Sequence, residues 1–324
     1  MVKKNRFFLC TIPENPVLSY GFGQFTFLVR TGILTFDRSS DEGLAFMINS
    51  RKIVFLDIDG TLTLPGRIEP PESALRAIED ARRNGNLMFI CTGRSKVLLD
   101  PLLRFGFDGY IGSAGGYICV GDRVIYDCPM NKEQSERAMN ILKENGIFRT
   151  IECLDSTYTD PEFVSYLKAH PDEPDNSELL RWVEGRDSTL GILPISCYDG
   201  APVYKIVIVV PSPDDLIIPK KLLGDEFSFR IQNPEKGRMM NGELINREFD
   251  KGRALKKVCE YLEIPLCDSI AFGDSANDRE MLKAAGLSVC MGNGSDEMKK
   301  ISDMVCAAIE DDGLARAFEE LGLI

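Results

Sequence analysis

Histidine is nearly missing from this chain: His170 is the single one among 324 residues, in a polar stretch ahead of Pro171-Asp172-Glu173-Pro174. Its scarcity removes histidine-based triads and multi-histidine metal sites, leaving carboxylates, hydroxyls and lysines to carry any chemistry. Tryptophan is as rare, and Trp182 reads as core packing rather than a platform for a ligand. Long apolar runs are missing too, since a stretch such as Ile206 to Val210 is far too short to span a bilayer. Positive charge is in deficit, with 38 lysines and arginines against 50 aspartates and glutamates for a net charge of −12. No basic stripe compensates, which argues against nucleic acid and anionic membrane surfaces as partners; an anionic substrate would need a local positive field. None of the ten cysteines forms a C-x-x-C pair, and several, such as Cys91 and Cys290, sit in apolar strand-like runs. They read as reduced core thiols of a cytoplasmic protein. Pro13 and Pro16 end the apolar stretch Phe7 to Ile12 without a small-residue cleavage site, which speaks against a secretion signal.

What is present is an ordinary globular composition, 44% hydrophobic and 27% charged, in a chain long enough for about two domains. From Ile53 onward strands and helices alternate. Ile53 to Leu56 reads as a strand buried on both faces, Ser73 to Gly85 as a helix with Leu75, Ile78 and Ala81 on one side, and Leu87 to Cys91 as a second buried strand. The alternation returns near the C-terminus, with a helix face at Leu255, Val258, Cys259 and Leu262 and a strand over Ser269 to Phe272. Such a pattern implies βαβ units, and so an α/β fold: a doubly wound, Rossmann-like parallel sheet.

Between about 129 and 242 the texture changes. An amphipathic helix over Lys132 to Asn145, a strong strand over Val203 to Val210, a helix start at Ser212-Pro213 and an alternating strand over Phe227 to Ile231 read as an inserted α+β cap domain. Residues 47–128 and 243–324 are then the two halves of the core domain, and 129–242 the cap. Residues 1–46, an N-terminal extension, fit neither unit and show no sustained period. Met47 is a natural beginning for the first domain, so translation from Met47, or dispensability of what precedes it, is expected.

The most informative run is Ile53-Val54-Phe55-Leu56-Asp57-Ile58-Asp59-Gly60-Thr61, which delivers two carboxylates, one residue apart, to the end of a buried strand. Ligands of open α/β sheets collect beyond such strand ends. Taken alone, Asp57-Ile58-Asp59-Gly60 reads equally as a solvated turn, although the acidic residues that complete a calcium loop do not follow. Three further strings decide the matter: Thr92-Gly93-Arg94, Asp250-Lys251-Gly252 and Gly273-Asp274-Ser275-Ala276-Asn277-Asp278. Each lies at a strand end or helix start, so a doubly wound sheet brings all four to one rim. Together they supply aspartates, a hydroxyl and a lysine, which suit phosphoryl transfer with a magnesium ion.

In order and separation the four strings resemble the motifs of the haloacid dehalogenase superfamily. The long insert, the segment Gly286 to Asn293 and the terminal Glu310 to Ala315 are similar to its Cof-type phosphatase branch. The resemblance implies that Asp57 attacks phosphorus and binds the metal. It implies that Asp59 serves as general acid and base, offering the metal only its backbone carbonyl. Thr92, with Gly93 and Arg94, holds the phosphoryl group; Lys251 supplies positive charge; Asn277 reaches toward the phosphate. Asp274 and Asp278 complete the metal shell, the latter directly or from behind it. Arg94, Ser275 and Asp278 can equally be structural residues. The implied activity is a magnesium-dependent phosphatase acting on a small phosphorylated metabolite, a sugar phosphate first among them. The alternatives are a phosphomutase or a non-catalytic phosphometabolite-binding module. One departure stands out: Ala114 occupies the place of an asparagine usual near the substrate entrance, so that hydrogen bond is absent or moved to Ser113.

Overall fold

The computed structural model describes residues 24–29, 32–37, 51–64, 67–163, 165, 192–232 and 240–324. Met47, His170 and Trp182, singled out above, lie outside the described residues. Within 1–46, β1 (Gln24–Val29) and β2 (Gly32–Asp37) form a two-stranded antiparallel sheet of their own. The structure thus gives this extension two strands where no sustained period is read.

The first half of the core runs β3 (Ile53–Leu56), α1 (Glu72–Arg83), β4 (Leu87–Cys91), α2 (Lys96–Leu103), β5 (Gly109–Gly112), β6 (Tyr117–Val120) and β7 (Arg123–Asp127). An insert follows: α3 (Lys132–Glu144), β8 (Phe148–Cys153), β9 (Thr157–Thr159), β10 (Ile192–Pro194), β11 (Val203–Val210), α4 (Ile217–Leu223), β12 (Phe227–Gln232) and β13 (Met240–Asn246). The chain then returns with α5 (Lys251–Tyr261), β14 (Ser269–Gly273), α6 (Arg279–Ala284), β15 (Leu287–Cys290), α7 (Asp296–Ile301), β16 (Met304–Val305) and α8 (Gly313–Glu320).

The core sheet has the order β16-β15-β14-β3-β4-β5-β6-β7 and is parallel from β16 to β5. The β6–β7 hairpin extends it antiparallel, an edge the alternation of strands and helices did not announce. Successive residues of a strand face opposite sides, and here both sides are covered. Val54 and Leu56 pack with Ile78 of α1 and Phe318 of α8, whereas Ile53 and Phe55 pack with Leu255 and Val258 of α5. That double burial is why β3 and β4 are continuous apolar runs. At roughly 25 cal/mol per Å² of apolar surface, it is also the main force holding the rim in place.

The inserted sheet runs β10-β9-β8-β11-β13-β12, with only the β9–β10 pair parallel. One face packs on α3, through Ala138 and Leu142 against Ile206, Ile208 and Leu244. The other face is turned to the core: Tyr204 packs edge-on against Tyr117 at 6.1 Å and donates a 2.6 Å hydrogen bond to Asp127. Eight of the described cysteines are free thiols, five of them buried, and Cys267 is disulfide-bonded, against the expectation of reduced thiols throughout. Among the described residues no helix is long and apolar enough to cross a membrane.

Candidate active site

Adjacent parallel strands β14, β3 and β4 end at the same rim, and the chemistry sits on the residues that follow them: Asp274, Asp57 and Thr92. Lys251 enters from the first turn of α5, where the Asp250 side chain caps the helix by accepting from Arg253 N. Of the predicted residues, Asp57, Lys251, Asp274 and Asp278 form one continuous cluster, and Asp59, Thr92, Gly93 and Arg94 form a second beside it.

In the first cluster Lys251 is fully buried. Its Nζ donates to Asp57 Oδ1 at 2.6 Å and to Asp278 Oδ1 at 2.7 Å. The second oxygen of Asp278 accepts from the backbone N–H groups of Asp274 and Ser275 at 3.0 and 3.2 Å. Both carboxylate oxygens of Asp278 are therefore engaged in holding Lys251 and the turn after β14. Asp274 accepts from Thr61 Oγ1 at 3.3 Å. Asn277 accepts from Ser275 Oγ at 2.9 Å.

Gly60 has a φ of +83°, and a Cβ there would stand 2.7 Å from Asp274 Oδ2. Glycine is thus required twice, for the left-handed turn and for the close approach. The same turn is tied from behind, since Asn293 Nδ2 donates to Gly60 O at 2.8 Å while its Oδ1 accepts from Ile309 N at 3.0 Å. Sequence reasoning gave Asn293 no part in the site; its only signal was its place in the segment after β15.

Three carboxylates, Asp57, Asp274 and Asp278, bring one oxygen each within 4.8 Å of one another. Burial, reinforced by the charge of Asp278 and opposed by Lys251, pushes the Asp57 carboxyl up to about 7. Burial, then the charges of Asp278 and Asp57, pushes Asp274 up to about 8. One buried ammonium does not neutralise three clustered carboxylates, and an all-oxygen donor set of this kind fits a hard divalent cation.

In the second cluster Arg94 donates to both oxygens of Asp59, from Nε at 3.2 Å and from Nη2 at 2.7 Å. Thr92 is buried, and its Oγ1 accepts from Arg94 N at 3.2 Å. The Thr92 to Arg94 loop is held from below: Ala114 N donates to Thr92 O at 3.0 Å and Ser113 N to Arg94 O at 2.8 Å. Ser113 and Ala114 have φ of 49° and 58°. Ser113 is fully buried, and its Oγ has no hydrogen-bond partner among the described residues. The segment supports the Thr92 to Arg94 loop through these backbone donors.

From the cap, Lys205 Nζ donates to Gly93 O at 2.9 Å and to Glu243 Oε1 at 2.7 Å. Neither cap residue was foreseen. Lys205 is hidden in a strand that is otherwise apolar, and no motif marks Glu243.

The profile of the haloacid dehalogenase-like hydrolases matches residues 54–318. Phosphatase YwpJ of Bacillus subtilis is 27% identical over 299 residues, covering 83% of this chain and 99% of that protein. The 5-amino-6-(5-phospho-D-ribitylamino)uracil phosphatase YwtE of the same organism is 28% identical over 289 residues, covering 83% and 98%. Among solved structures, the HAD subclass IIB sugar phosphatase BT4131 superposes with a TM-score of 0.66 at 23% identity, over 84% of this chain and all of that one. That likeness is one of fold: a mainly parallel core sheet with a second, inserted sheet.

Proposed function

The chain belongs to the haloacid dehalogenase-like hydrolases and is a phosphatase of that family; from that premise we propose that it hydrolyses a sugar or polyol phosphate, with magnesium, through an aspartyl phosphate on Asp57. The observation that carries the reading is the separation of two neighbouring carboxylates. Asp57 is bonded to Lys251, and Asp59, two residues on, to Arg94.

In this reading one oxygen of Asp57 forms a bond to phosphorus as the bond to the leaving oxygen breaks. Lys251 keeps that carboxylate oriented and screens it from the incoming anion. Thr92 accepts from Arg94 N, which leaves its own O–H to donate to a phosphoryl oxygen. Asp59 gives its proton to the leaving oxygen and then takes one from the water that releases Asp57. The two-pronged grip of Arg94 suits the deprotonated Asp59 of the second step. For the first step the proton sits on one of those oxygens, and the contact there opens. Asp57 and Asp274, with Asp278 behind them, would hold the magnesium ion. When bound it supplies charge neutralisation between the carboxylates and the phosphoryl group.

Because β13 pairs within the inserted sheet through Asn246, we move the expected boundary at 242 to the end of that strand. We assign 47–128 and 247–324 to the catalytic unit and 129–246 to a cap that encloses the substrate and excludes water. Support for a polyol leaving group comes from what two relatives act on: a ribityl phosphate for YwtE and a sugar phosphate for BT4131. The test is phosphate release over a panel of sugar, polyol and nucleoside phosphates, with and without magnesium. Activity should be highest on polyol and sugar phosphates and lost in chelator or in Asp57→Asn; activity indifferent to both would refute the mechanism.

A further inference from the structure

Across the cap face that lies against the core, charges alternate from strand to strand. Glu152 on β8 is the register partner of Lys205 on β11, and Arg230 on β12 that of Glu243 on β13. Lys205 is 1% exposed, with Nζ 2.7 Å from Glu243 Oε1 and 3.3 Å from Glu152 Oε2. A further contact leaves the cap altogether and falls on Gly93 O. Lys205 Nζ donates hydrogen bonds to Glu243 Oε1 and Gly93 O, while Glu152 pairs with it by charge. Two cap carboxylates would account for a buried lysine. They do not account for its reaching the core at the loop between Thr92 and Arg94.

The geometry of that loop gives the contact a consequence. The carbonyl of Gly93 and the N–H of Arg94 belong to one peptide group, and that N–H donates to Thr92 Oγ1 at 3.2 Å. A cation on the carbonyl polarises the peptide and strengthens donation from its N–H, because linked hydrogen bonds reinforce one another in a low-dielectric site. The same peptide begins Arg94, whose side chain grips Asp59. Gly93 is also where the cap comes close, since a Cβ there would lie 3.4 Å from Glu243 Oε1 and 3.7 Å from Lys205 Nζ.

We infer that Lys205 is a positioning residue for phosphoryl transfer: the seated cap places its ammonium on the Gly93 carbonyl, which aims the Thr92 hydroxyl and steadies Arg94 against Asp59. The inference rests on the phosphatase reading above. It makes the pocket complete only with the cap in place, so enclosure of the substrate and assembly of the phosphate loop are one event.

Lys205→Met keeps the aliphatic stem and removes the ammonium. Because it strands two buried carboxylates, it is paired with Lys205→Met/Glu152→Gln/Glu243→Gln, in which both of those carboxylates are neutral amides; thermal unfolding reports that each variant is folded. On an aryl phosphate at saturating magnesium, kcat should fall about tenfold or more in both variants while KM moves by less than about threefold, the loss of one charge-assisted hydrogen bond. Wild-type kcat in the triple variant would confine Lys205 to cap stability and overturn the inference. So would a raised KM at unchanged kcat, which makes Lys205 a substrate contact. Wild-type protein that releases phosphate from no ester overturns the phosphatase reading and this inference with it, whereas active wild type with unaffected variants overturns the inference alone.

Discussion

Arg94 grips Asp59 through both carboxylate oxygens although 35 residues separate them. The pair lies at the boundary of cap and core, with Asp59 partly open and Arg94 buried. Replacing Asp59 by asparagine should leave metal affinity largely intact, because its side chain stays outside the three-carboxylate cluster, while kcat falls by about 10²–10⁴. Titration calorimetry with magnesium beside steady-state kinetics checks both halves. Arg94→Lys should lower kcat without restoring it through charge, since a point cation cannot hold two oxygens at once.

Lys251 is the only cation in contact with Asp57 and Asp278 among the described residues, and it is fully buried. Lys251→Met leaves two buried carboxylates without their partner. The metal-free variant should be destabilised by about 3–5 kcal/mol, the usual consequence of breaking a buried pair from one side. Urea unfolding in chelator measures it, and phosphatase activity should be lost in the same variant.

The raised carboxyls make stability depend on pH in an unusual direction. Asp274 is pushed from 3.8 to about 8, chiefly by burial and then by Asp278 and Asp57. Between those values the folded protein retains a proton that the unfolded chain has lost, so this group's contribution declines as pH rises and is gone above about 8. Asp274→Asn removes the penalty. In chelator its melting temperature should match wild type near pH 4 and exceed it increasingly up to about pH 8. Magnesium should reverse the order at pH 8 by stabilising only the wild type; thermal scans with and without metal settle it.

Gly60→Ala should damage the site more than the fold. The φ of +83° costs a side chain about 1–2 kcal/mol. The new Cβ would also press on Asp274 Oδ2. Magnesium affinity and kcat should both fall, while the unfolding midpoint moves only a few degrees.

Much of this site could be read before any coordinates. Asp57, Thr92 and Asp274 each follow a run of buried strand residues, and the rim of a parallel sheet is where such residues meet. Lys251 could be read because it opens a helix just behind a capping aspartate. Lys205 could not. In β11 both faces are buried, so a lysine aimed at the core sits among Tyr204, Ile206 and Val207 without breaking any period. Arg94 was visible, but its partner was not, because nothing local distinguishes a guanidinium that holds phosphate from one that holds Asp59.

By itself the sequence determined the α/β class, the inserted cap and the kit of aspartates, threonine and lysine, because periodicity and strand-end chemistry are local properties of a chain. Tertiary structure alone decided the pairings: Lys251 between Asp57 and Asp278, Arg94 on Asp59, and Lys205 across the boundary onto Gly93. Each joins residues far apart in sequence, and which carboxylate a buried cation meets depends on how whole elements pack, which no short window of residues contains.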